Sequence, residues 1–363
     1  MKQRTLLFLI CTFLAPVILL AQKPKPPNFA HTFSIVARDA QTGEMGVAVQ
    51  SHWFSVGAIV PWAEAGVGAV ATQSFVDPSY GPLGLHMMKI GRSAPDALKG
   101  LLEADEGRQV RQVAMIDNEG RVAAWTGCNC VDSAGEFVNG AGNSGMPSTE
   151  SGCAHPSYMR VGKDFSVQAN MMLNDKIWGA MAKGFQETKG DLTDRMMAAL
   201  DAAQAAGGDA RGRQSAAIIV VKAKASGRPW DDRIFDLRVE DNPTPLKELR
   251  RLISLQRAYN HMNAGDLAVE KKDNEGALRE YSAAEKIASS IEGVDPSRLA
   301  EMIYWHAQAL AQMGRVDESL PLFKKAFSIY PNWVMMTPRV AKSGLLPNDP
   351  KVLERIMSQA PKQ

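Results

Sequence analysis

AAGGDARGRQSAAIIVV, residues 205–221, joins the end of a helix to a buried strand through a polar loop. The pair Gly207-Gly208 ends the helical pattern, and residues 216–221 are apolar, as is typical of a buried strand. A second apolar segment, TFSIVA at residues 32–37, predicts an early strand. Several polar residues directly before an apolar strand indicate a functional site, although a turn with solvated arginines would have the same composition.

The first two thirds of the chain are dominated by short apolar segments separated by glycines. We predict strands at residues 32–38, 46–50, 57–60, 68–73, 113–116, 122–126, 165–168, 215–221 and 234–239. Apolar residues recur at helical spacing in residues 82–104 and in residues 174–206, the latter with a break at Lys189-Gly190. Runs of strands with few helices between them predict an α+β fold, in which two sheets pack face to face and helices cover them.

The first 21 residues have the features of a secretory signal peptide. Two basic residues precede the apolar residues 6–20, and Ala21 follows as the small residue of a cleavage site. The apolar run is shorter than the roughly 20 residues of a membrane helix and contains Pro16, so a retained anchor is disfavoured. We therefore expect a periplasmic or secreted protein with no stable membrane span, in which residues 22–31 form a linker.

The charge balance excludes one class of partner. The 363 residues include 41 lysines and arginines against 39 aspartates and glutamates, a formal net charge of +2. Because there is no basic stripe of the kind that follows phosphates, nucleic acid is not an expected partner. The chain also lacks the glycine-rich phosphate loop, the dinucleotide fingerprint and the zinc-protease motif, so we predict no cofactor and no metal.

Three cysteines follow the signal segment, which is an odd number for an oxidising compartment. We expect one disulfide, from Cys153 to either Cys128 or Cys130. The same cysteines with His155 would suit a metal cluster, but zinc sites favour two to four residues between paired cysteines. Residues 136–160 are rich in Gly, Ser, Asn and Pro, which is typical of a surface insertion that a disulfide would hold.

After Pro245 the pattern is helical throughout and contains an internal repeat. The recurring residues are Gly265, Ala277, Tyr281 and Ala284 in the first unit and Ala307, Ser319, Phe323 and Ala326 in the second. Small residues let paired helices approach closely, and the aromatic ring fills the space between neighbours. Residues 246–363 thus resemble two tetratricopeptide repeats with flanking helices. Such repeats bind peptides or partner proteins, although a stabilising appendage or a contact between identical chains would give the same pattern.

Segments of residues 32–255 resemble, in colinear order, the bacterial family called domain of unknown function 1028. They are TFSIVARD (32–39), GVAVQSHWFSVG (46–57), ATQSFVDPSYG (71–81), GGDARGRQS (207–215) and FDLRVED (235–241). The family is grouped with the N-terminal-nucleophile (Ntn) hydrolases, whose fold is a four-layer αββα sandwich of two antiparallel sheets between helix layers. The resemblance implies an Ntn-hydrolase-like domain at residues 32–245.

The resemblance also implies a role for Thr32. In Ntn hydrolases a Thr, Ser or Cys at the start of the first strand attacks an amide carbonyl. Its own α-amine, with an unperturbed pKa of about 7.7–8.0, is the base. Family members commonly begin Met-Thr-Phe-Ser, whereas Thr32 is internal here, so the free amine requires a cut between His31 and Thr32. Signal peptidase would not make this cut, and self-cleavage is the alternative. Without it, Thr32 is an ordinary β-branched strand residue.

Other polar residues would complete such a site. Gln73, Asn170 or backbone N–H groups at Gly207-Gly208 could stabilise an oxyanion, and Asp209 could orient the nucleophile or its amine. Two arginines of the following loop could bind a substrate carboxylate. Alternatively, Asn170 caps a turn and Asp209 pairs only with an arginine. The candidates are Thr32, Asn170 and Asp209 for catalysis and Gln73, Arg211, Arg213, Gln214 and Ser215 for substrate binding.

The sequence therefore predicts an exported amidohydrolase that acts on an amide bond of a peptide or a cell-wall-derived substrate. The alternative is a non-catalytic ligand-binding module whose repeats recruit a protein partner. A thiol nucleophile, Cys128 or Cys130, is a third option. A Ser-His-Asp triad at Ser51-His52 is disfavoured, because neighbouring strand residues face opposite sides. The substrate and the formation of a homo-oligomer stay open.

Overall fold

The computed structural model describes residues 28–30, 32–131, 134–139, 158–160 and 164–361. They form a mixed α+β part with two sheets, followed by a helical region, so the predicted α+β class is confirmed. The strands are β1 (Asn28–Ala30), β2 (Thr32–Arg38), β3 (Met45–Ser51), β4 (Pro61–Glu64), β5 (Gly68–Val76), β6 (Arg111–Asp117), β7 (Val122–Thr126), β8 (Gly135–Asn139), β9 (Tyr158–Arg160), β10 (Phe165–Ala169), β11 (Ser215–Val221) and β12 (Arg233–Val239). The α-helices are α1 (Tyr80–Lys89), α2 (Ala94–Ala104), α3 (Ile177–Glu187), α4 (Leu192–Ala205), α5 (Pro245–Glu270), α6 (Asn274–Ser290), α7 (Pro296–Gln312), α8 (Val316–Ile329), α9 (Asn332–Lys342) and α10 (Pro350–Met357).

The two sheets have different strand orders. One has five strands in the order β1-β5-β6-β7, with β4 also paired to β5, and the other has seven strands in the order β12-β11-β3-β2-β10-β8-β9. Neighbouring strands are antiparallel apart from β8 and β9, which run parallel. β1 and β2 follow each other in the chain but belong to different sheets. Ala30 pairs with Ser74 of β5, whereas Thr32 pairs with Ser51 of β3.

Alternation along β2 defines the layers. Phe33 and Ile35 face one way and pack in a core with α3 and α4, while Val36 faces the other way and packs between the two sheets. A third core joins the outer face of the five-stranded sheet to α1 and α2. The sheets therefore face each other, and a helix pair covers the outer face of each. Burial of these apolar surfaces is the main force that holds the layers together.

Capping and turn residues explain the helix limits. Ser93 and Asp191 accept hydrogen bonds from the backbone N–H groups of Asp96 and Asp194, and they cap α2 and α4. The single helical region predicted at residues 82–104 is two helices, because Gly91 adopts a φ of +96° just after α1. The helical pair predicted at residues 174–206 is confirmed by α3 and α4.

Three sequence-based assignments differ from the structure. The strand predicted at residues 57–60 is wrong, since Val56–Ala58 is a short 3₁₀ helix and β4 begins at Pro61. A Cβ at Gly57 would lie 2.8 Å from Ala217 Cβ, so the backbone turns there against β11. Part of the linker assigned to residues 22–31 forms β1. The insertion at residues 136–160 contributes β8 and β9, and its other residues lie outside the described ones.

The helical region begins at Pro245, as predicted, but its first helix also packs on the sheets. Leu249 and Ile253 of α5 are buried in the core that contains Phe235 of β12. The guanidinium of Arg257 binds the carboxylates that begin α4. The boundary predicted after residue 245 thus falls at the start of a helix that both parts share. Among the described helices, none has the length and apolar character needed to cross a membrane.

The recurring residues of the helical region lie where helices approach each other. A Cβ at Gly265 would come within 3.0 Å of the Tyr281 ring, so the glycine makes room for the tyrosine between α5 and α6. Ala307 of α7 and Phe323 of α8 are fully buried in one core. The predicted pairing of small with aromatic residues therefore has a direct packing reason.

Candidate functional site

Three hydroxyl side chains form a row at one end of the seven-stranded sheet. Thr32 of β2 pairs with Ser51 of β3, and Ser51 pairs in turn with Ser215 of β11. All three are fully buried. Thr32 Oγ1 donates to Ser51 Oγ at 3.2 Å, whereas Ser215 Oγ donates to the Trp53 carbonyl and accepts from Val56 N–H. Thr32 and Ser51 thus form a hydroxyl pair, while Ser215 holds the loop after β3.

Gln112 of β6 is the centre of a polar network between the sheets. Its Oε1 accepts from Gln73 Nε2 at 2.7 Å and from Asn170 Nδ2 at 2.8 Å. Its Nε2 donates to Thr126 Oγ1 and to the Ala169 carbonyl, each at 2.9 Å. The amide of Gln112 therefore connects β5 and β7 of its own sheet with the end of β10 in the other sheet. Its orientation is fixed because both its oxygen and its nitrogen have partners.

Gln73 of β5 carries this network to the backbone of Thr32. Its Nε2 donates to the Thr32 carbonyl at 3.2 Å, and its Oε1 accepts from Ser34 Oγ at 2.7 Å. The backbone N–H of Asn170 donates to the same carbonyl at 3.1 Å. The structure therefore brings Thr32, Gln73 and Asn170 together. Gln73 Nε2 also donates to the Gln168 carbonyl at 3.4 Å, so Gln73 holds the backbone of Thr32 next to the end of β10.

The other charged candidates lie beside the hydroxyl row and form a separate group. Asp209 is buried and accepts from Arg211 N, Nε and Nη2 and from the backbone N–H of His52. Its partners are thus its own loop and the residue after Ser51. The loop also binds Ser51 directly, because Gln214 N–H donates to the Ser51 carbonyl at 3.1 Å. This arrangement holds the end of β3, where Ser51 meets Thr32.

Ser51, His52 and Asp209 do not form a hydrogen-bonded triad. Asp209 binds the backbone N–H of His52, and the buried His52 Nδ1 has no hydrogen-bond partner among the described residues. That nitrogen faces Gly212, where a Cβ would lie 3.4 Å away.

Arg213 and Gln214 face away from Thr32. Arg213 is exposed and lines an open cavity of about 610 Å³ with Lys247 and Arg250 at the start of α5. The side chain of Gln214 donates to Asp241 at 3.2 Å on the surface. Larger clefts, of about 730 and 620 Å³, lie near the opposite end of β2 or beside α1. Thr32 is fully buried in the uncut chain and lines none of these three cavities.

The edge of β5 next to Thr32 is held by an ion pair. Arg111 Nη1 donates to the Phe75 carbonyl at 2.6 Å, and Arg111 Nε donates to Asp105 at 2.9 Å. Burial raises the pKa of Asp105, but hydrogen bonds from Arg111 and from Gly107 N–H outweigh it and hold the pKa below its usual value. Asp105 is therefore ionised at neutral pH and keeps Arg111 on the strand.

Ser74 lies in the same strand and has an unusual conformation. Its φ is +69°, it is fully buried, and its Oγ has no hydrogen-bond partner among the described residues. It pairs with Ala30, two residues before Thr32. Non-glycine residues in the left-handed region cost energy and concentrate at functional sites. The strain thus coincides with the point where the chain leaves one sheet for the other.

The predicted cysteine chemistry is partly resolved. Cys128 is disulfide-bonded, whereas Cys130 is buried and its Sγ donates to the Arg111 carbonyl at 3.4 Å. Cys153 and His155 lie outside the described residues. A disulfide-bonded Cys128 is not a thiolate, so it is not the nucleophile in this form. Within the described part of the chain, no group of three His, Cys, Asp or Glu residues is arranged for a metal.

Sequence reasoning missed several members of the network, although a signal existed. In strand after strand, the residues that face the other sheet are apolar except at the Thr32 end, where they become polar. These end residues are Thr32 and Ser34 in β2, Ser51 in β3, Gln73 in β5, Gln112 in β6, Thr126 in β7, Gln168 in β10 and Ser215 in β11. Polar residues at the same end of several strands, on the faces that the two sheets turn toward each other, indicate one site.

Comparisons with known proteins identify relatives but no activity. A model for a family of unknown function, DUF1028, matches residues 32–146 and 136–249. Protein SPO2555 from Silicibacter pomeroyi, whose crystal structure is described with the same family, is 27% identical over 61% of this chain and 87% of its own, with a TM-score of 0.49. No match was found among curated proteins.

Proposed function

The chain belongs to the DUF1028 family of unknown function, and we propose that it is an amide hydrolase whose nucleophile is Thr32. The observation that carries this proposal is the junction between the sheets. Ala30 ends a strand of one sheet, Thr32 begins a strand of the other, and the bond before Thr32 is the one that must be cut to free its amine.

The hydrogen bonds around Thr32 support this assignment. Its hydroxyl donates to Ser51 Oγ, and its carbonyl is held by both Gln73 and the backbone of Asn170. A nucleophile needs a fixed backbone so that its side chain keeps one orientation, and these contacts supply that rigidity. Asn170 also supplies an amide N–H₂ group beside the nucleophile. It is therefore our candidate for an oxyanion donor once substrate is bound.

The proposed reaction has two steps. The free α-amine of Thr32 accepts the proton of its own hydroxyl as Oγ1 attacks the substrate carbonyl carbon. The carbon–nitrogen bond then breaks, the leaving amine takes the proton, and an ester to Thr32 remains. Water hydrolyses this ester, which releases the acid and restores the hydroxyl. Self-cleavage before Thr32 would also pass through an ester, but the Thr32 nitrogen is then the amide that is cut and is not a free base. Oγ1 would attack the carbonyl carbon of residue 31, the carbon–nitrogen bond would break as the nitrogen takes the hydroxyl proton, and water would hydrolyse the ester between residue 31 and Oγ1.

Three further features belong to this proposal. The two facing sheets with outer helix pairs are consistent with an Ntn-hydrolase sandwich. The packing of Gly265 against Tyr281 is consistent with tetratricopeptide-like repeats, which could recruit a protein partner. We also propose that residues 1–21 direct export to the periplasm or medium.

The decisive experiment measures the N-terminus and intact mass of the protein recovered from the periplasm or medium of its host. We expect a chain that starts at Thr32. In a screen of amide substrates, Thr32→Ala should abolish turnover, while Thr32→Ser should keep part of it because a hydroxyl remains. Cys130→Ala is the matched control and should leave turnover unchanged. An intact chain that starts at Gln22 and hydrolyses no amide would refute the proposal.

One observation favours the alternative, a non-catalytic binding module. The Thr32 side chain is fully buried in the uncut chain, and β1 is paired into the neighbouring sheet. If the chain is never cut, this arrangement is a stable structural junction. The N-terminus measurement separates the two functions, because binding does not need a free Thr32 amine.

A further inference from the structure

The segment before Thr32 occupies an edge of the five-stranded sheet. β1 runs antiparallel to β5, with Asn28 opposite Val76, Phe29 opposite Phe75 and Ala30 opposite Ser74. β6 pairs with the other edge of β5 from Gly68 to Ser74, and β4 pairs on the β1 side only as far as Ala71. Removal of residues 1–31 would therefore leave backbone groups of Ser74–Val76 without the strand that now covers them.

The uncovered edge would lead directly to the nucleophile. β1 ends opposite Ser74, and the preceding residue of β5, Gln73, donates to the carbonyl of Thr32. A chain lying in the position of β1 thus ends, one residue further on, at the bond before Thr32. This is the position that the acyl side of an amide substrate must take for attack by Thr32 Oγ1.

We propose that the substrate is an extended peptide, whose acyl side adds to β5 as a strand in the position that β1 occupies before processing. This inference rests on the proposed function and names its substrate class. After the cut, the released segment that ends at residue 31 lies where the acyl product of a substrate would lie, and it blocks the site until it dissociates. Recognition by main-chain pairing gives affinity with little dependence on side chains.

The edge is built to stay in place when β1 leaves. Arg111 holds the Phe75 carbonyl and is itself held by Asp105, so the strand has support from the β6 side. Ser74 keeps a strained φ of +69° at the last paired position, where the bound chain must turn away from the sheet. A preformed edge lowers the ordering cost of binding a flexible peptide.

The test compares hydrogen exchange in the full chain and in the chain that starts at Thr32. The shorter chain is taken from the host or from a fusion protease that cuts before Thr32, and circular dichroism confirms that it is folded. The amides of Ser74–Val76 that point to β1 should be protected in the full chain and exchange at least about tenfold faster in the cut chain. The amidated peptide QKPKPPNFAH, residues 22–31, should restore their protection.

Backbone methylation supplies the matched control. Alternate residues of a strand direct their N–H groups to the same neighbour, so only one of the amides at Phe29 and Ala30 points to β5. N-methylation at that residue should weaken binding by about tenfold or more, and methylation at the other should change it little. Equal binding of both methylated peptides and the parent would overturn the strand-addition proposal.

The outcomes separate this inference from the hydrolase proposal. If the cut chain hydrolyses a coumarin amide of acetyl-Asn-Phe-Ala-His and the parent peptide competes, both stand. If it hydrolyses single-residue amides equally well and the peptide neither competes nor protects β5, the hydrolase stands and the peptide inference fails. If the peptide binds and protects β5 but no amide is cleaved, the peptide site stands and the hydrolase fails.

Discussion

Replacing Gln112 by leucine should destabilise the sheet part of the protein without changing its shape greatly, because the two side chains are similar in size. The substitution removes at least four hydrogen bonds, two accepted by Oε1 and two donated by Nε2. All of them are buried between the sheets, so water cannot replace the lost amide without opening the structure.

The expected loss follows from these contacts. A buried neutral hydrogen bond contributes about 1 kcal/mol, so four bonds correspond to about 4 kcal/mol. The apolar leucine returns about 1–2 kcal/mol through the hydrophobic effect. Thr126 and the Ala169 carbonyl each lose one donor in the process. We therefore expect Gln112→Leu to lower the free energy of unfolding by about 2–3 kcal/mol.

Urea denaturation followed by circular dichroism measures this change, and hydrogen exchange in β6 and β10 locates it. Gln186→Leu is the control, because Gln186 is an exposed glutamine at the end of α3 and should change stability by less than about 0.5 kcal/mol. A cycle with Thr126→Val should give a coupling of about 1 kcal/mol. If Gln112→Leu unfolds with the same free energy as the parent, the network does not stabilise the sheets and our account is wrong.

Three other substitutions test separate parts of the fold. Gly81→Ala puts a Cβ 2.3 Å from the rigid ring of Trp62 and should lower the free energy of unfolding in urea by about 1–3 kcal/mol. Gly179→Ala, whose Cβ has nothing within 4 Å, should stabilise α3 by about 0.5–1 kcal/mol. Equal effects of the two substitutions would contradict the packing argument. Leu249→Ala in α5 should cost about 2–5 kcal/mol and speed hydrogen exchange in β12, and unchanged exchange there would mean that α5 does not support the sheets. His306 and Lys325 lower the pKa of Glu285 to about 2 from 4.5, so the stability that the ionised carboxylate contributes is present above pH 4.5 and is lost as the pH falls toward 2. Glu285→Gln should therefore lower the urea midpoint at pH 7, and the difference in midpoint between variant and parent should be smaller at pH 3. An equal difference at both pH values would refute this.

Much of the fold follows from patterns that the sequence carries locally. β2 and β11 have the limits that the apolar runs at residues 32–38 and 215–221 predict. An apolar run with polar residues on both sides shows where a buried strand begins and ends. The break between α3 and α4 follows from Gly190 in the same way. Residues 57–60 were misassigned because β-branched residues and glycine also suit a 3₁₀ turn that packs against a neighbouring strand.

The site was harder to predict, because it depends on which strands become neighbours. Thr32, Gln73 and Asn170 were chosen individually, and the structure brings them together across the two sheets. Gln112 and Ser51 were not chosen, because a glutamine or serine at a strand end has many ordinary roles when its partners are unknown. Asp209 and Arg211 were chosen for charge, yet they mainly hold each other and the end of β3.

The location of the polar network argues for a positioning role. Most of the space between the sheets is filled by alanine, valine and isoleucine, which stabilise a core without needing partners. Replacing all the buried amides and their partners together by apolar side chains of the same shape would change stability little, unlike the removal of one member. Stability alone therefore does not explain why glutamines lie at one end only. What amides do supply is direction, because each must orient its donors and acceptors toward fixed partners. At this end the chain of bonds from Thr126 through Gln112 and Gln73 terminates on the carbonyl of Thr32. The same network also reaches the backbone of Gln168 and Ala169, so it fixes the start of β2, where Thr32 lies, against the end of β10.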